Sequence, residues 1–398
     1  MATRSDEDVD LDVLEVDLRR RRHRPPRVSR RTIWLRRAGV VAVLVLAWLA
    51  WSIGGALTAP GTDTTAAKLA EWGRGHGFGP VVTYLEQLQY QVNPPKVGGT
   101  PDGGIPRLAP SRQAAPVSRP ATYLPPPATI PSQVQPSLSG EGEWQPLLSV
   151  KKQPAIEAAF LRPDGKHTSY LVGVAWVNQK LVKLALHPGY TVPGNSGLSV
   201  STDVPKSQRD QLVATFNSGF RMKDANGGYW QNGTSVVPLR KGAASMVFYK
   251  DGHLDVARWG GGTPRPGVVA VRQNLDLLVD HGVVNPDVDT TSKSTWGFTI
   301  GNKTYVWRSA VGVRRDGSLV FVAGAAMSVR TLANVMHDAG AVRAMELDIN
   351  PDWTNFMTYT HPHPGVAVPH KLTKDEKPNP NRYLQSSSRD FVAVTARP

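Results

Sequence analysis

The sequence predicts an α+β fold: mixed, mostly antiparallel sheets with few helices, in a C-terminal domain preceded by one transmembrane helix. Three observations predict it. Short apolar segments of strand length recur from residue 141 onward, separated by turn pairs such as Asp164-Gly165, Asp251-Gly252 and Asp316-Gly317. One segment in that region carries a full set of helix signals. Near the N-terminus, residues 38–58 run for 21 positions without a charge, the length that crosses a hydrocarbon core at ~1.5 Å per residue.

The elements follow in chain order. Residues 1–37 form a charged tail of eleven Arg and seven acidic residues. Its acidic block followed by a basic block suits a solvated cytosolic segment. Ten of those Arg lie between Arg19 and Arg37 with no acid among them. The positive-inside rule therefore places the N-terminus in the cytosol and the C-terminal domain outside, a single-pass cell-membrane protein contacting lipid through one helix. A cleaved signal peptide is the competing reading, with Ala56-Leu57-Thr58-Ala59 as a small-residue site. Residues 59–92 predict two short helices at the membrane surface, interrupted by Gly73, Gly75, Gly77 and Gly79. Residues 93–140 hold twelve prolines, a composition for an extended spacer rather than a core.

Residues 141–398 form the folded domain. Strands are predicted at 170–177, 181–186, 213–217, 245–249, 275–279, 296–300, 304–307 and 318–322, with another at 342–348. The helix is capped by Ser328, carries Val329, Leu332, Val335 and Met336 on one stripe, and stops at Gly340.

Charge and cysteine content narrow the function classes. There are 46 Lys and Arg against 32 Asp and Glu, a formal net of +14. The tail accounts for +4, so +10 lies beyond the apolar run. A surface of that sign attracts polyanions. Aromatic and basic residues do not interleave as a single-strand binder requires, so nucleic acid is not an expected partner. Anionic envelope polymers and sugar phosphodiesters are. The chain has no cysteine, which excludes disulfides and thiolate metal sites and suits a bacterial cell envelope.

Four constellations could carry chemistry. Asn217-Ser218-Gly219-Phe220-Arg221 follows an apolar strand, and a small-residue turn there lets a ligand approach backbone N–H groups. An ordinary turn fits the same residues. Glu346-Leu347-Asp348-Ile349-Asn350-Pro351-Asp352 places Glu346 and Asp348 on one strand face. Paired carboxylates suit acid–base work or cation binding, and a solvated strand end is the plain alternative. Arg308 interrupts an apolar strand and could clamp a phosphate in bidentate fashion. Arg314 and Arg315 read as hairpin charges. His361-Pro362-His363 with His370 alternates like a metal chelate but lacks a longer ligand pattern. No metal is assigned, and a divalent cation is left open as the cofactor. Asp280-His281-Gly282 is a further strand-end cluster. No nucleophile elbow, P-loop or dinucleotide fingerprint is present.

Taken in order, these pieces resemble the phosphodiester glycosidase family. Residues 213–220 resemble its A-x-N-G-G-F signature, residues 271–282 its Q-x-x-P-x-L-V-x-x-G stretch, and Arg308-Ser309-Ala310-Val311-Gly312 its R-T-A-I-G. Asp316-Gly317, the helix, Gly340-Ala341 and Leu347-Asp348 resemble its D-G, helix, G-A, L-D-G-G-G-S order. The resemblance spans roughly residues 145–398. Two departures stand out: Ser218 replaces a Gly of the first signature, and Ile349-Asn350-Pro351 replaces the glycines after Asp348. The resemblance implies an α+β domain with a substrate cleft. It implies that Asn217, Arg308 and Asp348 line that cleft. The expected catalytic residues are Asn217, Arg308, Glu346 and Asp348, with Gly219, Arg221, His281 and Asn350 contacting substrate. The expected function is hydrolysis of sugar-1-phosphodiester bonds in envelope glycopolymers or glycoconjugates. Non-catalytic binding of anionic wall polymer by the same cleft is the alternative. A membrane-tethered scaffold built around the Pro-rich spacer is a third reading.

Overall fold

The computed structural model describes residues 29–92, 94–108, 123–194, 197–290, 293–297 and 304–398. The chain divides into two compact units, residues 1–56 and residues 57–398.

In the first unit, helix α1 (Arg30–Leu57) runs for 28 residues with none buried. It is long and apolar enough to cross a membrane by length and composition. It starts before the predicted apolar run because arginine is a good helix former and lets the helix extend back through Arg30.

The second unit opens with two helices, α2 (Thr65–Gly75) and α3 (Gly79–Val92). The Thr64 hydroxyl caps α2 by accepting from the Ala67 N–H at 3.1 Å. These are the two short helices read from the sequence.

All strand pairings in the three sheets are antiparallel. The eight-stranded sheet runs in the spatial order Gln145–Val150, Gln153–Leu161, Val172–Val177, Leu319–Met327, Val306–Arg314, Ala341–Glu346, Leu277–Asp280, Val283–Val284. A five-stranded sheet has the order Val368–Lys371, Phe356–Thr360, Leu212–Asn217, Phe391–Ala396, Val182–His187. The third sheet comprises Thr234–Val237, Tyr229–Gln231, Val268–Gln273, Ala244–Tyr249 and Leu254–Arg258. Two further helical segments are the short α4 (Lys293–Trp296) and α5 (Val329–Asp338). The predicted strand at 296–300 meets α4 at Trp296; positions 298–300 fall outside the described residues.

Strand alternation explains how the large sheet is covered on both sides. Ala310, Val320, Val322 and Ala344 share one apolar cluster with Leu332, Val335 and Met336 of α5. Their sequence neighbours Val311, Phe321 and Met345 point the other way, into the cluster holding Phe216 and Phe356. Phe216, Phe321 and Phe356 meet at ring-centroid distances of 5.1 to 6.0 Å, sealing the large sheet to the five-stranded one. The helix needs close approach at Gly312, where an added Cβ would lie 2.7 Å from Met336.

The Pro-rich stretch departs from the expected free spacer. In its described parts, Ile105, Leu124 and Val134 are buried and Ile130 is fully so. The Ile130 N–H donates to the Gly142 carbonyl at 3.0 Å. Buried Arg162 pairs with Glu141 at 2.8 Å and donates to the Pro136 carbonyl at 2.7 Å. Prolines remove donors that would need strand partners, so the segment lies along the domain and fills its surface with the apolar residues between them.

Candidate functional site

The site is built where two sheets abut. Asn217 ends its strand, and strand Phe391–Ala396 pairs with it residue on residue, Phe391 opposite Asn217. That register sets Arg389 and Asp390 beside the Asn217 turn. On the other flank, Phe356 pairs with Phe216, which brings in the loop from Asp348 to Asn355.

Ser309 joins the two halves. Asn217 Nδ2 donates to Ser309 Oγ at 3.0 Å. Ser309 Oγ donates to the Asp348 carbonyl at 3.2 Å and accepts from the Asp348 N–H at 3.2 Å. Asn217 Oδ1 accepts from the Asn355 N–H at 3.1 Å. Asn274 ties in the remaining turn: its Oδ1 accepts from Phe220 N–H at 3.0 Å, and its amide donates to the Glu346 and Leu347 carbonyls at 2.9 and 3.0 Å. Gly219 must be glycine here, since a Cβ would sit 2.8 Å from Asn274 Oδ1.

Asn217, Ser218, Gly219 and Asp348 line a narrow, partly open cleft together with Trp353, Arg382, Tyr383, Arg389 and Asp390. Asp348 Oδ1 accepts from the Asn350 N–H at 2.9 Å, and its Oδ2 pairs with Arg389 at 3.1 Å. Burial pushes its carboxyl up to about 6, against the pull of Arg389 and of the Asn350 and Ile349 N–H groups. Burial works against the charged form of Arg389, but Glu71, Asp348 and Asp390 outweigh it and its pKa rises. Arg382 and Arg389 both lie over the Trp353 ring, at 4.4 and 4.8 Å. Asp390 pairs with buried Arg272 at 2.6 Å, while its other oxygen and the Ser218 hydroxyl have no hydrogen-bond partner.

A segment from the start of the second unit completes the rim. Asp63 pairs with Arg382 at 2.7 Å. Glu71 of α2 pairs with Arg389 at 3.2 Å and with Arg221 at 3.4 Å. Gly61 approaches Ser386 with φ +97, and a Cβ there would lie 2.4 Å from the Ser386 carbonyl oxygen. Beyond the two helices read from the sequence, this stretch thus contributes Asp63 and Glu71 as ion-pair partners of the cleft arginines.

The other predicted site residues distribute differently. Arg308 is not in the cleft lining. Its guanidinium pairs with Glu346 at 2.5 Å and donates to the Met327 carbonyl at 2.9 Å, so the expected phosphate clamp is engaged inside the protein. Glu346 is fully buried, and burial raises its carboxyl pKa despite Arg308. The strand ends at Glu346, so Asp348 sits in the following loop and the two carboxylates part. His281 stands on an exposed turn at φ +51 and pairs with Asp280 at 3.0 Å. Asn350 shapes the loop: its side chain accepts from the Asp352 N–H at 2.8 Å. Arg221 sits at the rim through Glu71. His361 bonds the Arg209 carbonyl and His370 the Thr360 hydroxyl. Among the described residues no cluster of three His, Cys, Asp or Glu could hold a metal.

Asn217 and Asp348 therefore meet at one cleft, at the two ends of the ordered motif series. Residues 210–348 match the phosphodiester glycosidase family. This stretch holds Asn217, Ser218, Gly219 and Asp348 of the cleft, while Trp353, Arg382, Tyr383, Arg389 and Asp390 lie C-terminal to it. No curated protein matches the chain. Among solved structures, the chain is similar to the zebrafish N-acetylglucosamine-1-phosphodiester alpha-N-acetylglucosaminidase catalytic domain auto-inhibited by pro-peptide. Identity is 17% over 64% of this chain and 88% of that one, with a TM-score of 0.41. A hypothetical protein from Synechocystis is similar at 15% identity over 64% of this chain and 65% of that one, with a TM-score of 0.36.

Arg382, Arg389, Trp353, Asp390 and Ser309 were not singled out in the sequence. An Arg in the Arg389-Asp390 pair just before an apolar strand is the one local signal that could have flagged them.

Proposed function

We propose that the chain is a membrane-anchored hydrolase whose domain faces away from the cytosol and cleaves the sugar side of a sugar-1-phosphodiester. The observation that carries this reading is Asp348, a buried carboxyl raised to about 6, which ends the family-matched stretch and faces a cleft lined by Arg382 and Arg389. Exposed Val81, Tyr84, Leu85 and Leu88 recur on one side of α3, which supports a membrane nearby.

In the reaction, the bond from the anomeric carbon to the phosphate oxygen breaks. The electron pair leaves with the phosphate, and water oxygen joins the carbon. A phosphate monoester is a stable anion, so the leaving side needs charge stabilisation more than a proton. Arg382 and Arg389 supply it, taking the clamp role first assigned to Arg308. Asp348 in its ionised form accepts the proton of the attacking water. Asn217 fixes the Asp348 backbone through Ser309. Glu346 and Arg308 hold the strand behind it.

Asp348→Asn should lower release of reducing sugar from a sugar-1-phosphodiester by about 10²–10⁴-fold. In the parent, kcat/KM should fall as pH drops below about 6, since the base is then protonated. Unchanged turnover in Asp348→Asn would sink the assignment. Non-catalytic binding of anionic polymer is the second reading. It draws on the Asn350 N–H being spent on Asp348 itself. Salt-sensitive retention of polymer with no released sugar would favour it.

A further inference from the structure

The arginines of the cleft are over-supplied for one phosphodiester. Arg389 pairs with Asp348 in the cleft and with Glu71 from the N-terminal segment, Arg382 pairs with Asp63, and Arg221 at the rim pairs with Glu71. Three cations thus meet three anions, two of which arrive on a single short stretch of chain. Arg272 and Asp390 balance each other beside them. Around Arg221, Arg74 and Asp224 act in opposite directions. Lift the stretch away and Arg74 leaves with Asp63 and Glu71, so Arg221, Arg382 and Arg389 remain against Asp348 and Asp224, a net of one positive charge with two carboxylate partners gone.

The two acids address different sockets. Asp63 meets Arg382, and Glu71 meets Arg389 and Arg221. The sockets adjoin, because the Arg382 and Arg389 guanidinia each lie within 5 Å of the Trp353 ring. Donors remain unspent: Arg389 Nε, Arg382 Nε and Arg221 Nη1 are buried without a hydrogen-bond partner. Buried unpartnered guanidinium donors are costly unless a ligand can take them up.

We infer that Arg221, Arg382 and Arg389 form a paired anion site for a ligand bearing two adjacent anionic groups, a pyrophosphate-linked sugar, whose two charges Asp63 and Glu71 replace in this structure. The inference rests on the proposed hydrolase reading for its sugar and narrows the substrate from a single phosphodiester to a diphosphate diester. The acidic segment and the ligand then compete for the same donors.

The test is calorimetric titration of the full chain in detergent with inorganic pyrophosphate and with orthophosphate. Pyrophosphate should bind the parent about tenfold or more tightly than orthophosphate, the margin of one extra charge-assisted contact. Asp63→Asn with Glu71→Gln should tighten pyrophosphate about tenfold, since the competing carboxylates are gone. Arg382→Gln with Arg389→Gln should lose it. Equal affinity for the two anions in the parent overturns the inference, whatever the variants do. So does unchanged pyrophosphate affinity in a folded Asp63→Asn, Glu71→Gln protein. Asp348→Asn should lose turnover yet retain pyrophosphate. If the parent hydrolyses no sugar phosphodiester but still discriminates pyrophosphate, the hydrolase reading falls and the anion site stands.

Discussion

Two buried carboxyl groups with raised pKa values behave differently because their surroundings differ. Asp348 has Arg389 at 3.1 Å and backbone donors, and its ionised form is available near neutral pH. Glu157 lies in the large sheet at 4% exposure, and burial alone pushes it up to about 7. In the unfolded chain a Glu titrates near 4.3. Below that pH Glu157 is protonated in both states and its ionisation costs nothing. As pH rises through 7, the unfolded state gains from ionising and the fold loses relative stability. Glu157→Gln should therefore leave the melting temperature unchanged at pH 4 and raise it at pH 8, where the stability gain is up to ~3 kcal/mol. A thermal melt at the two pH values checks it. Arg308 invites a second residue-scale test. Arg308→Ala strands Glu346, fully buried with one oxygen already unpaired. The expected loss is ~3–5 kcal/mol of stability by denaturant titration, a structural effect rather than loss of a substrate contact.

At the scale of elements, α5 was legible because its signals are local. Ser328 caps it by accepting from the Thr331 N–H at 2.9 Å, and its buried stripe is Val329, Leu332, Val335 and Met336. Leu332→Ala should cost about 2–5 kcal/mol, read as a shift in urea midpoint. The turn after Asn217 and the carboxylate loop were legible for the same reason, each being a run of contiguous residues with an unusual composition. The arginine wall was not. Arg382 opens a single three-residue helical turn and Arg389 lies in the loop that follows it, neither with any periodicity. They line the cleft with Asp348 because strand Phe391–Ala396 crosses to pair with Leu212–Asn217, a contact between residues about 180 positions apart that no local pattern encodes. Glu346 and Asp348 looked paired because a period of two was carried past the end of the strand at Glu346.

For the whole molecule, proline content misled by ignoring what stands between the prolines. Residues 123–140 read as a spacer, yet Ile130 is fully buried and Glu141 with Arg162 pins the segment's end. Arg162→Ala leaves Glu141 buried without its partner and removes donors from two carbonyls. It should make this stretch an early site of limited proteolysis while the rest of the domain stays resistant. The net charge pointed to a basic surface, and part of that charge gathers as Arg382 and Arg389 in the cleft.

Gly61 gives that cleft a control that does not depend on charge. Its backbone adopts φ +97 against the Ser386 carbonyl, a conformation and a clearance that a single methyl group would spoil. Seating of the Asp63–Glu71 stretch is therefore a matter of shape as well as attraction. High salt weakens the attraction and leaves the shape intact. A Gly61→Ala chain would keep every acid and every arginine and still be unable to seat the stretch, so steric fit and charge could be varied one at a time in the same protein.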